Sequence, residues 1–134
     1  RYYRFMTMIH GLLPEDRPDD HDALANASTL AALMDVLGDP TRLAILRHLH
    51  GGEHRVVELT EHLGLAQSTV SQHLAILRSA GLVSTHSHGR ASVNRLEHAA
   101  ALDHLLEAAS ALVNAAAEAG DAQVPGQRES QESL

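Results

Sequence analysis

Glycines at positions 38, 51, 52, 64, 81 and 89 cut the middle of the chain into segments of at most about sixteen residues, each long enough for one helix or strand and no more. Periodicity assigns the segments. "LLPEDRPDDHD" is polar, holds two prolines and reads as a loop, after which Asp20 or Asp22 caps a helix through "ALANASTLAALMDVLG". Leu24, Ala27, Leu30, Met34 and Leu37 mark its apolar side, and Gly38 stops it. "DPTRLAILRHLHGG" supplies Asp39 as N-cap, Pro40 at the first helical position and Leu43, Leu46 and Leu49 as an inward set. "VVELTEHLG" predicts a short helix with Val56, Leu59 and Leu63 inward, broken at Gly64 before a new helix begins near Gln67. "LVSTHS" and "ASVNRL" are strand-like runs around "HGR", where Gly89 supplies the positive φ of a hairpin turn. From His98 to about Ala119, an Ala and Leu helix carries His98, Leu102, Leu105, Ala109, Leu112 and Ala116 at spacings of four and three, a helix-packing stripe.

The resulting order is ααααββα: a mainly α domain over 20–119 with a small β-hairpin. Residues 1–19 are expected to be a flexible segment, with 1–5 set apart as a vector-derived or upstream extension before a start at Met6 or Met8. Residues 120–134 are expected to be a disordered tail, low in hydrophobics and containing Pro and Gly.

A chain of 134 residues supports one modest core. Its aromatics, Tyr2, Tyr3 and Phe5, all lie in the first five residues, so the folded part has no rings on which single-stranded bases could stack. Cysteine is absent, which removes disulfides and thiolate chemistry together. No apolar run approaches a membrane span and no segment resembles a signal peptide, so the expected location is the cytoplasm, away from membranes. The net charge of -7 is unevenly distributed. From Pro40 to Leu96, six arginines (Arg42, Arg47, Arg55, Arg78, Arg90, Arg95) face three acids (Glu53, Glu58, Glu61), while most carboxylates sit in the flanks.

The stretch "GLAQSTVSQHLAILRSAGLV" carries the functional signal. At 100° per residue, Val70, Leu74 and Leu77 share the packing side. Ser68, Gln72, Ala75 and Ser79 lie opposite, with Gln67, Thr69 and Ser71 clustered in the first turn. Short hydroxyls and amides at an exposed helix start suit the major groove of DNA: hydroxyls and N-terminal amides hold phosphates, and glutamine can pair with adenine. The preceding short helix and the following hairpin make this a helix-turn-helix with a wing.

On "LGDPTRLAILRHL", "VVELTEHLGLAQSTVSQHLAILRSAGLV" and the wing "HGR", the chain resembles the ArsR/SmtB family of winged-helix bacterial repressors over roughly residues 30–113. The resemblance implies a homodimer binding an inverted-repeat duplex, with DNA contacts from Gln67, Ser68, Ser71 and Gln72, and from Arg90 at the basic wing position; Thr69, in the same first turn, and Arg78 are further candidate contacts. His73 falls on the flank of the packing side and is read as partly structural. The family's metal patterns fit poorly. Its thiolate site would need cysteines where this chain has Arg55 and Val57, and its last-helix site falls on His98, Ala100, Ala111 and Asn114, of which His98 alone is a good ligand.

Eleven histidines without cysteine favour zinc, nickel or cobalt over soft metals. A shifted site on the last helix would use His104 and Glu107, three apart on the same side as Ala100, Ala111 and Asn114, with Asp103 alongside and His98 as an outer ligand. In the family's antiparallel register, His104 of one protomer meets Glu107 of its partner. The competing reading makes Asp103, His104 and Glu107 the solvated side of an amphipathic helix. His86 and His88 share one strand face, "DDHD" at Asp19 to Asp22 is a further chelating pattern, and His48, His50, His54 and His62 read as surface or helix-end residues.

The expected function is a DNA-binding repressor with a metal ion as effector. The alternatives are a regulator that answers to no metal and a winged helix that binds protein. An enzyme is the third reading, since His and Asp occur together on the last helix, but the chain lacks a cysteine nucleophile, a Gly-rich phosphate loop and a serine on a strained turn, which argues against it.

Overall fold

The computed structural model describes residues 20–120, so residues 1–19 and 121–134, with the expectations placed on them, lie outside the described residues. Five helices and one hairpin follow in the expected order: α1 (Asp20–Leu37), α2 (Pro40–His50), α3 (Val56–Leu63), α4 (Gln67–Ser79), β1 (Val83–His88), β2 (Ala91–Leu96) and α5 (Ala99–Glu118). Helix α1 already begins at Asp20, so that residue opens the helix where a cap had been expected.

The core is aliphatic. Ile45, Leu46 and Leu49 of α2, Leu59 of α3, and Val70, Leu74 and Leu77 of α4 are buried together, closed by Leu37, Leu82, Val83 and Leu102. The α4 assignment is met in full, each of its three packing residues being 0% exposed. On α2 the expected Leu43 is at the surface and Ile45 takes its place inside. Helix α1 departs further: Leu24, Leu30 and Met34 are exposed, and only its last turn, with Leu33, Val36 and Leu37, reaches the core. Helix α5 behaves alike, with Leu102 buried, Leu105 and Leu106 half-buried, and Leu112 and Val113 exposed.

Local chemistry fixes the joints. Asp39 accepts from the Arg42 N–H at 3.0 Å and caps α2 ahead of Pro40. Arg42 closes the α1–α2 corner from the other side, its Nε donating to the Val36 carbonyl at 2.5 Å and its Nη2 to that of Asp35 at 3.1 Å. Both are last-turn carbonyls of α1, and that of Asp35 also accepts from the Gly38 N–H at 3.2 Å.

The hairpin pairs Val83 with Leu96 through to His88 with Ala91, leaving Gly89 and Arg90 as a two-residue turn. Gly89 has φ 64°, the value a compact hairpin turn needs and an L side chain resists. His98 does not begin the last helix as expected. It precedes it in a left-handed conformation, φ 56° and ψ 39°, the one non-glycine residue with positive φ among those described.

Candidate nucleic-acid interface

Helices α3 and α4 are joined by Gly64, Leu65 and Ala66. Gly64 terminates α3 in the left-handed region, φ 65°, while its N–H donates to the Thr60 carbonyl at 2.9 Å. This is the reversal that lets α4 cross α3, and the buried Leu59 and Val70 lock the pair on the core.

Helix α4 is organised for exposure at its start. Its N-cap is Ala66, which offers no side-chain acceptor, in contrast to the Asp39 cap of α2. The first N–H groups of α4 are thus left without a side-chain cap, the condition under which a helix start accepts a phosphate oxygen. Gln67, Ser68 and Gln72 are exposed, whereas Thr69 and Ser71 are half-buried on the flanks. His73 turns inward, its Nδ1 lying 3.4 Å from Arg42 Nη1, so it belongs with the α1–α2 corner as well as with α4.

The wing is tied to α4 by a polar chain that the sequence did not announce. Asn94 of β2, 1% exposed, donates from its amide to the His54 carbonyl at 3.2 Å, and its Oδ1 accepts from the Thr85 hydroxyl at 3.1 Å. Arg78 Nη1 in turn donates to the Thr85 hydroxyl oxygen at 3.3 Å. Main-chain bonds between His54 and Asn94 run both ways, at 3.1 and 2.8 Å, making the segment before α3 a short third partner of the hairpin. Arg90 stands exposed at the tip of the wing.

Of the six arginines in the central region, two are neutralised locally. Glu53 accepts from Arg95 at 2.6 Å and Glu58 from Arg55 at 2.6 Å, and these hydrogen bonds hold both carboxyls below the usual glutamate range. Arg42 is spent on the α1–α2 corner. Of the remaining three, Arg47 is exposed on α2, and Arg78 and Arg90 are the cations flanking α4 and the wing tip, a sparse basic surface.

The four residues set out for a metal are less well gathered within one chain. Asp103 Oδ2 is 2.9 Å from His50 Nε2 of α2, an ion pair when the imidazole is protonated. His104 and Glu107 are exposed on α5, and His98 is exposed at its entrance. Among the described residues, no group of three or more His, Asp or Glu side chains stands ready to hold a metal ion. No helix among them is long and apolar enough to cross a membrane.

Comparison with known proteins agrees with this architecture. The profile described as "Bacterial regulatory protein, arsR family" matches residues 39–85, from the α2 cap into β1. The HTH-type transcriptional regulator NmtR of Mycobacterium tuberculosis is 37% identical over 89 residues, covering 66% of this chain and 74% of that protein. A probable mercury resistance operon repressor of Streptomyces lividans is 40% identical over 62 residues, covering 46% of this chain and 50% of that protein. The solved structure of reduced HlyU from Vibrio cholerae superposes with a TM-score of 0.56 at 34% identity, over 63% of this chain and 92% of that one. A winged helix-turn-helix whose α4 presents uncapped amides and polar side chains, in a chain this similar to transcriptional regulators, is a regulator and no enzyme; it belongs to the ArsR family.

Proposed function

We propose that the chain represses transcription as a homodimer that inserts two copies of α4 into successive major grooves of an inverted-repeat duplex, with the wing on the backbone. The observation that carries this reading is the exposed start of α4, where Gln67, Ser68 and Gln72 flank N–H groups that no side chain caps. In this reading Ser71 and Thr69 approach from the flanks, the exposed Gln72 amide suits bidentate pairing with adenine, and Arg78 and Arg90 contribute phosphate contacts. Dimer formation is supported by exposed apolar side chains on the first and last described helices: Leu24 is 68% exposed on α1 and Leu112 71% exposed on α5. A second copy is the simplest cover for both helices.

The effector reading rests on α5. His104 and Glu107 point to solvent on the side opposite Leu102, and pairing two α5 helices antiparallel would bring each His104 toward the partner's Glu107. Imidazole and carboxylate suit zinc, nickel or cobalt, and the absence of cysteine argues against soft-metal chemistry. Asp103 would have to leave His50 to join, and His98 would be an outer ligand. A repressor that answers to no metal remains the competing reading.

Sedimentation at micromolar concentration should find a dimer. Fluorescence anisotropy with an inverted-repeat duplex should show salt-dependent binding that weakens on addition of zinc. A stable monomer would remove the two-groove geometry. Zinc release that survives in the variant His104→Ala with Glu107→Ala would remove the α5 site and leave the DNA reading standing.

A further inference from the structure

Three histidines read from the sequence as scattered surface residues are brought together by the fold. His48 lies in the last turn of α2, His54 in the segment before α3, and His62 in the last turn of α3. Their ring centroids are 5.2 Å apart for His48 and His62, 5.5 Å for His54 and His62, and 6.4 Å for His48 and His54. We propose that His48, His54 and His62 form a tri-imidazole site, within one protomer, for a divalent ion of the zinc, cobalt and nickel group.

The size of the triangle is the first argument. The point equidistant from three centroids so spaced lies about 3.3 Å from each, and an imidazole nitrogen about 2.0–2.1 Å from zinc places its own ring centre about 3.2 Å from the ion. The ring centres already stand at about the separation that a shared ion requires.

The second argument is the tautomer of His54. Its Nδ1 is 2.8 Å from the Gly52 carbonyl oxygen, a pure acceptor, so Nδ1 must carry the proton. In the neutral ring the lone pair then resides on Nε2. A ligand imidazole whose other nitrogen is held by a carbonyl is the arrangement that fixes ring orientation and raises basicity at metal sites.

The rings as they stand are not a ready metal-holding group. His48 and His62 lie nearly parallel, 21° between planes, and must turn about their Cβ–Cγ bonds to aim nitrogens at the centre. That axis runs close to the ring centre, so turning redirects the nitrogens while the centroids barely move. Solvent reaches all three: His62 is exposed and the other two are half-buried, which leaves room for water as a fourth ligand. An ion here would join the end of α2 to the end of α3, the first helix of the DNA-reading pair, and would need no second protomer.

The test is zinc titration by calorimetry in the background His104→Ala with Glu107→Ala, which separates this site from the one proposed on α5. One zinc per protomer should still bind, the ring proton signals of His48, His54 and His62 should shift on binding, and the melting temperature should rise by about 5 °C or more. Adding His48→Gln and His62→Gln should weaken binding by at least about tenfold, since loss of an outer-shell partner alone costs that much. His62→Gln alone, at an exposed position, should have a comparable effect in a protein whose far-ultraviolet circular dichroism is unchanged. Undiminished affinity in the histidine variants, or no zinc bound in the background protein, would overturn the site.

Discussion

Replacing Asn94 by alanine isolates what the buried amide contributes. The side chain is 1% exposed and makes two hydrogen bonds, to the His54 carbonyl and from the Thr85 hydroxyl. Neither partner is orphaned by its loss: the His54 oxygen keeps the Asn94 main-chain N–H at 2.8 Å, and the exposed Thr85 hydroxyl can turn to water. The cost is therefore that of two ordinary hydrogen bonds, each worth about 0.5–1.5 kcal/mol net, or about 1–3 kcal/mol together. For a domain of this size a loss near 2 kcal/mol lowers the melting temperature by about 8–16 °C. Urea unfolding at one fixed protomer concentration would measure it, since association makes apparent stability concentration-dependent. Thr85→Val removes one of the two bonds but leaves the buried Asn94 Oδ1 without its donor, so it should cost about as much as Asn94→Ala, about 1–3 kcal/mol. A loss below about 0.5 kcal/mol for Asn94→Ala would refute the assignment of the wing's attachment to this amide.

The DNA surface separates into two behaviours. Gln72→Ala should cost about 1–3 kcal/mol on the preferred duplex and relax base preference, whereas Arg90→Ala should weaken all duplexes alike and reduce the salt slope by about one. Anisotropy titrations across salt and sequence distinguish them, and two variants that bind like wild type would misplace the interface. Asp39→Ala should destabilise by about 0.5–2 kcal/mol through loss of the α2 cap. The Arg42 N–H holds the Asp39 carboxyl below its ordinary value of 3.8, so this stabilisation is present above that value and is lost as pH falls through the lowered folded pKa. The gap between wild type and Asp39→Ala in melts should accordingly close at acid pH, while Asp39→Asn should keep most of the cap without that pH dependence. His98→Gly should relieve the left-handed φ and stabilise the entrance to α5 by up to about 1 kcal/mol, with His98→Ala giving no such gain.

Where one face of an element meets one core, sequence periodicity was sufficient. Val70, Leu74 and Leu77 illustrate this, since α4 lies across the core along its whole length. On α1 and α5 the same periodicity found apolar sides but could not say what covers them, and most of those residues face outward from the protomer. Asn94 was illegible for a different reason. In "ASVNRL" nothing distinguishes it from Ser92, and its burial is decided by a segment forty residues earlier. The histidine triangle was hidden likewise, because positions 48, 54 and 62 share no helical face and meet only through the angle between α2 and α3. The start of α4 was legible because Gly64 and the Gln67 to Gln72 run are contiguous, so local chemistry alone placed them.

Arg42 serves three neighbours with one planar group: two carbonyls closing α1 and the imidazole of His73 on α4. Lysine offers a single ammonium at the end of its stem, which cannot span both carbonyls and the ring at once. Positions that look half-exposed usually drift freely among basic residues, yet this one should tolerate almost no exchange. A library randomised at position 42 and selected for folded protein should return arginine nearly alone, while position 47, whose arginine is exposed and serves none of these neighbours, should return a broad mixture.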